Sequence, residues 1–212
     1  MDRRLVIGAA ALAVLLVGVG AFAVFQTREK PSAQEVATRF TAAYGGLEAD
    51  QALSYVADDA DISGLWTSVG TSGMQGMREQ FGALISLLEA QGYKQLRNSC
   101  EELDSSAAGT HVQCTFDFHT LGSDELGRGP FSGSYLDLTV RDGVIDRAST
   151  YWEIEKFSPQ MWEPFARWVS NAHRHDASVM YTDGTHSGIR ITEESIRLWG
   201  RHAQGYVDAT KS

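Results

Sequence analysis

YLDLTVRDGVIDRASTYWEIEKFSPQMWEPFARWVSNAH, Tyr135–His173, holds both of the periods from which this fold can be read. Leu136, Leu138 and Val140 alternate with polar residues up to Asp142-Gly143. Alternation broken by Asp-Gly marks two antiparallel strands joined by a type I′ turn, because both central positions of that turn need positive φ. Arg141 then lies opposite Val144. That register predicts an apolar face of Leu136, Leu138, Val140 and Ile145, and the same parity carries Ser149, Tyr151 and Glu153 to it. Beyond Glu153 the period lengthens to that of a helix, with Ser158 as N-cap, Pro159 at N1, and Trp162, Phe165, Ala166 and Val169 as its apolar stripe.

Upstream, two further strands are expected, Lys94–Leu103 and Thr110–Thr120, ahead of Phe131–Arg141 and Val144–Glu153. The first two fold about the turn DSSAAG, which sets Cys100 opposite Cys114, the two cysteines of the chain. Opposed positions on antiparallel strands bring Cβ atoms near disulfide distance. A disulfide is expected if the domain is exported; the other reading is a pair of small buried thiols. Before the strands come three helices. Ala33–Tyr44 carries Val36, Phe40 and Tyr44 at helical spacing, Ala49–Val56 carries Leu53 and Val56, and Gly76–Gln91 carries Met77, Phe81, Leu84, Ile85 and Leu88. Asp58-Asp59-Ala60-Asp61 reads as a solvated loop ending the second helix. A last helix, Glu193–Val207, has Thr192 as its cap and Ile196, Trp199, Ala203 and Tyr206 as its buried face.

Helices followed by successive hairpins indicate an α+β fold with a sheet curled around the helices. This order, the LTVRDGVI hairpin, the cysteine pair and the Ser-Pro-x-x-Trp-x-x-Phe helix together resemble the nuclear transport factor 2-like superfamily, and within it the SnoaL-like proteins. The resemblance covers Gln34–Glu153 and extends to the later helices. It implies a cone-like half-barrel, a curved antiparallel sheet packed on N-terminal helices, with two additional C-terminal helices in this chain and a pocket between sheet and helices. The superfamily contains binding proteins, ketosteroid isomerase-like and dehydratase-like enzymes, and anchored accessory subunits of lipid-transport systems, so the fold alone assigns no reaction. The expected role is binding of a small hydrophobic ligand or of a membrane-protein partner. Tyr44, Tyr55, Trp66, Phe116, Phe118 and Tyr151 are the candidate ligand contacts. If the protein is an enzyme, Tyr151 and Glu153 are its candidate donor and base. Homodimers are frequent in the superfamily.

Other polar groups point away from chemistry. In Thr110–Thr120, Val112, Cys114, Phe116 and Phe118 take the core parity, leaving Asp117 and His119 on the opposite face. The aspartates of Asp58–Asp61 lack the glycine and bidentate glutamate of a calcium loop. His173-Arg174-His175-Asp176 trails a helix, where histidines complement the C-terminal dipole, and no metal site or cofactor is expected.

Leu5–Phe25 runs LVIGAAALAVLLVGVGAFAVF with no charged side chain, long enough to cross a bilayer as a helix. Residues 1–27 are therefore expected to be a transmembrane signal anchor. A cleaved signal peptide is the alternative, since Ala21-Phe22-Ala23 fits a small-x-small site. The apolar run continues through Val24 and Phe25, which favours the anchor. Residues 28–33 form a tether and 34–210 a single domain held outside the cytoplasm, or secreted after cleavage. A net charge of −9 makes nucleic acid an unsuitable partner.

Overall fold

The computed structural model describes residues 30–66, 69–70, 76–183, 186 and 188–212. The expected anchor lies outside these residues, and among them no helix is long and apolar enough to cross a membrane.

Ser32 opens helix α1, Ala33–Gly45, by accepting a hydrogen bond from the Glu35 amide at 3.1 Å. Phe40 and Tyr44 of this helix are fully buried and meet Phe81 of helix α3, Met77–Ala90. Between them the chain departs from expectation. Helix α2 stops at Leu53, spanning Ala49–Leu53, and Val56–Gly64 is a strand, β1. Val56 and Ile62 are buried while Asp58, Asp59 and Asp61 stay exposed, so pairing and burial of the two aliphatic residues outweigh the turn preference of the aspartates.

The main sheet contains β1 together with β3 (Lys94–Ser106), β4 (Gly109–His119), β5 (Phe131–Arg141) and β6 (Val144–Tyr151), in the order β1-β6-β5-β4-β3. It is mixed, correcting the expectation of a wholly antiparallel sheet: β1 runs parallel to β6, and the other pairs are antiparallel. Both borders of the sheet carry carboxylates, Asp58, Asp59 and Asp61 on β1 and Glu101, Glu102 and Asp104 on β3. The β3–β4 hairpin is longer than its sequence suggests, pairing as far as Ser106 with Gly109, and Cys100 pairs with Cys114 in a disulfide. A separate two-stranded ribbon joins β2 (Val69–Gly70) to β7 (Ile189–Arg190).

The β5–β6 turn has the expected positive φ at Asp142 (55°) and Gly143 (87°), and Arg141 pairs with Val144. Two residues later the expected register fails. Val140 pairs with Ile145 but Thr139 pairs with Arg147, so Asp146 is an extra, bulged residue. Past the bulge the parity of β6 inverts. Ala148 is buried, whereas Tyr151 is 48% exposed and stacks on Tyr135 at 4.9 Å on the other face. Tyr151 and Glu153 therefore leave the face to which an unbroken register would bring them.

The C-terminal layer holds more than two helices. One helical run comprises α4 (Ile154–Phe157), a π-helical turn at Ser158–Trp162, and α5 (Glu163–Ala172). Ser158 thus sits inside the run rather than capping it. Pro159 and Pro164 lack the N–H groups that a regular α-helix would use here, and a π turn accommodates the missing bonds. Pro164 would otherwise serve the carbonyl of Gln160, and Arg128 Nη1 donates to that oxygen instead, at 2.6 Å. Helix α6, Arg174–Met180, turns a corner at His173. Helix α7, Glu193–Lys211, starts at the expected Thr192, which exchanges hydrogen bonds with Ser195 in a capping box. Trp199 is fully buried, stacked between Trp162 (5.5 Å) and Phe165 (5.4 Å).

Candidate functional site

A cavity of about 490 Å³ lies where the sheet, α3 and the C-terminal layer meet. One wall is Leu84, Leu87 and Leu88 of α3, all buried. The opposite wall is aromatic: Trp152, delivered inward by the Asp146 bulge, meets Phe118 (5.1 Å) and Tyr93 (5.9 Å) edge-on. Phe157 and Trp162 close the space from the helical run, and Ile154, 60% exposed, stands at its rim. The C-terminal layer is therefore part of the site.

Few polar groups enter. The Tyr93 hydroxyl donates to Gln95 Oε1 at 2.8 Å, so its proton is already engaged. Burial raises the pKa of Tyr93, with the neighbouring Tyr44 phenol adding to the shift, and burial also raises that of Tyr44, so both remain neutral. Glu163 lies at the rim with half its side chain exposed, accepting from Ser158 Oγ at 3.4 Å. Gln91, the residue that ends α3, is different. It is 6% exposed and lines the cavity; its backbone carbonyl accepts from the Leu121 amide (2.7 Å) and Thr120 Oγ1 (3.3 Å), yet its side-chain nitrogen has no partner. A buried amide nitrogen without an acceptor costs roughly 1–3 kcal/mol, which an acceptor met by rotation of the Gln91 side chain toward the cavity would recover. Among the described residues no aspartate or glutamate is buried. His186 also lines the cavity, its Nε2 engaged with Ser170 Oγ at 2.6 Å. A mainly aromatic and aliphatic chamber with a few polar groups, Gln91 the one lacking a partner, is arranged to hold a mostly apolar body bearing an acceptor.

Of the six candidate ligand contacts, Phe118 lines the cavity. Phe116 is buried against Trp152 at 5.6 Å, Tyr44 is buried with Phe40 and Phe81, Trp66 is buried beside the lining residue Leu65, and Tyr55 packs at the edge of the core. Tyr151 is on the outer face, and Glu153 sits beside Gly133, with its amide donating to Ser134 Oγ at 3.0 Å. The pair proposed for acid–base chemistry is outside the cavity, a consequence of the parity inversion. Sequence reading missed Gln91, Tyr93, Trp152, Phe157 and Ile154. The first is a polar residue at a helix end, where polarity is ordinary, and Trp152 is concealed by the bulge.

No family model and no curated protein matches the chain. Solved structures do resemble it. A proposed polyketide cyclase from Pseudomonas putida is 16% identical, covers 61% of this chain and 98% of its own, and superposes with a TM-score of 0.41. A nuclear transport factor 2-like protein of unknown function from Cytophaga hutchinsonii is 11% identical, with coverages of 61% and 97% and a TM-score of 0.40. A protein with a ketosteroid isomerase-like fold from Catenulispora acidiphila, in complex with trimethylamine, is 17% identical, with coverages of 61% and 93% and a TM-score of 0.40.

Proposed function

We propose that this protein binds a small, mostly apolar molecule carrying one hydrogen-bond acceptor, in a nuclear transport factor 2-like domain held at the outer side of a membrane by residues 1–27. The observation that carries the binding reading is the mainly aromatic and aliphatic cavity whose wall holds Gln91, a buried amide with an unpartnered nitrogen. A cavity of about 490 Å³ is within the usual range for small-molecule sites. Isomerase or dehydratase chemistry would need a base against the bound molecule. The lining groups that could act as one are Glu163, at the rim, and His186, whose Nε2 is engaged with Ser170 Oγ at 2.6 Å; with no buried carboxylate among the described residues, this favours binding without turnover. The superfamily reading is supported by the element order and the motifs of Tyr135–His173; the location by the apolar run Leu5–Phe25 and by the disulfide, which persists in oxidising compartments.

The test uses Trp152 and Trp162 as fluorescent reporters and two probes of similar shape, acetonaphthone and ethylnaphthalene. Acetonaphthone should bind more tightly by about fivefold, the worth of roughly 1 kcal/mol for one hydrogen bond, and Gln91→Leu should erase the preference while retaining both ligands. Failure of either probe to bind, with no small molecule retained through native purification, would overturn the reading. Location is tested separately: protease added to intact cells should digest the domain.

A further inference from the structure

A second cluster lies in the C-terminal layer, away from the cavity. His173 forms the corner between α5 and α6, and its backbone is fixed on both sides: its amide donates to the Val169 carbonyl (2.7 Å), and its carbonyl accepts from Ala177 (3.0 Å). Asp176 follows three residues later in the first turn of α6, the helix that His173 precedes as N-cap. His202 arrives from the middle of α7, 2% exposed, its ring 4.5 Å from the His173 ring and 5.9 Å from Trp168. Its Nε2 is 2.8 Å from Asp176 Oδ2. One ligand-capable atom from each of the three residues lies within 4.8 Å of the others.

We propose that His173, Asp176 and His202 bind a zinc-type divalent cation. Two imidazole nitrogens and one carboxylate oxygen form a three-ligand zinc set, with water completing the tetrahedron. Bonds of about 2.0–2.1 Å place neighbouring ligand atoms roughly 3.3 Å apart around such an ion. The His202–Asp176 contact opens slightly to reach that value, and the 4.8 Å limit closes by rotation of the His173 side chain. A simple His–Asp hydrogen bond has no need of His173, whose ring makes ring contacts with Trp168 and His202 and no hydrogen bond among the described residues. Nitrogen donors disfavour magnesium and calcium, which select oxygen. The Arg201 guanidinium, 4.0 Å from Asp176 Oδ2, is the opposing charge; its side chain is 58% exposed and free to swing into solvent. The cation takes the place of the proton shared by His202 and Asp176 and bolts the α5–α6 corner to α7.

The full-length, untagged protein, stripped with a chelator, is titrated with zinc against a chromophoric competitor and, separately, with cobalt(II). One equivalent should bind, cobalt should give the intense visible absorption of a tetrahedral site, and the unfolding temperature should rise. His173→Ala and Asp176→Asn should each weaken binding by at least about tenfold, whereas His175→Ala, on the same corner but outside the cluster, should not. His202→Gln is the riskier variant because its side chain is core, so His173→Ala decides. Cobalt absorption of octahedral type, or zinc affinity unchanged in His173→Ala, would overturn the assignment.

Discussion

Arg128 illustrates how one side chain repairs what a proline removes. Its guanidinium donates to the Gln160 carbonyl at 2.6 Å and approaches Tyr206 Oη at 3.5 Å, linking the loop after β4 to the π turn and to α7. Replacing it with Met keeps the aliphatic stem but leaves the carbonyl unserved. Arg128→Met should cost about 2 kcal/mol in urea unfolding, the scale of a charge-assisted hydrogen bond. Lys94 acts more weakly. Its ammonium, hydrogen-bonded to Asp124 at 2.5 Å, holds that carboxyl below the usual aspartate range. A depressed folded-state pKa contributes stability that is complete above the unfolded value near 3.8 and is lost as pH falls through the folded one. With the Lys94 side chain 60% exposed, the effect is at most about 1 kcal/mol. Lys94→Met should therefore lower stability at neutral pH by that amount and flatten the decline below pH 3.8, read from unfolding midpoints across an acid series.

Among elements, β6 shows where sequence reading succeeds and where it stops. Asp142-Gly143 announces its turn through a backbone requirement that few dipeptides meet, so the hairpin and its first pairs are legible. The bulge at Asp146 has no such signature. Val144 to Tyr151 accepts either parity by composition, and only the packing of Ala148 and Trp152 against the interior selects one. Strand β1 was obscured for a similar reason, because three aspartates have strong local preferences while the pairing that overrides them comes from β6, some ninety residues on. Deleting Asp146 would restore the unbroken alternation and turn Trp152 outward. The deletion should cost at least about 4 kcal/mol or prevent folding, and in any folded fraction Trp152 fluorescence should shift toward that of a solvated indole. The His173–Asp176–His202 cluster was illegible for want of distance information: two of its members share a local tetrapeptide, and the third is 26 residues beyond Asp176 on another helix.

For the molecule as a whole, the disulfide constrains one edge of the sheet. Closing a loop between positions 14 apart removes unfolded-state freedom worth about 3 kcal/mol. Cys100→Ser combined with Cys114→Ser should lower stability by about that amount in thermal or urea unfolding, and reduction of the wild-type protein should reproduce it. The sheet's open borders bear on a different matter. An unpaired strand is a template for any other strand, yet here each hem of the fabric displays three carboxylates, Asp58, Asp59 and Asp61 on one side and Glu101, Glu102 and Asp104 on the other. Two copies meeting border to border set these carboxylates against one another, while the cations at the start of β3, Lys94 and Arg97, are already paired with Asp124 and Asp117. Stacking into fibres is thus discouraged by electrostatics rather than by shape, and the protection weakens wherever salt is high or acid neutralises the hems.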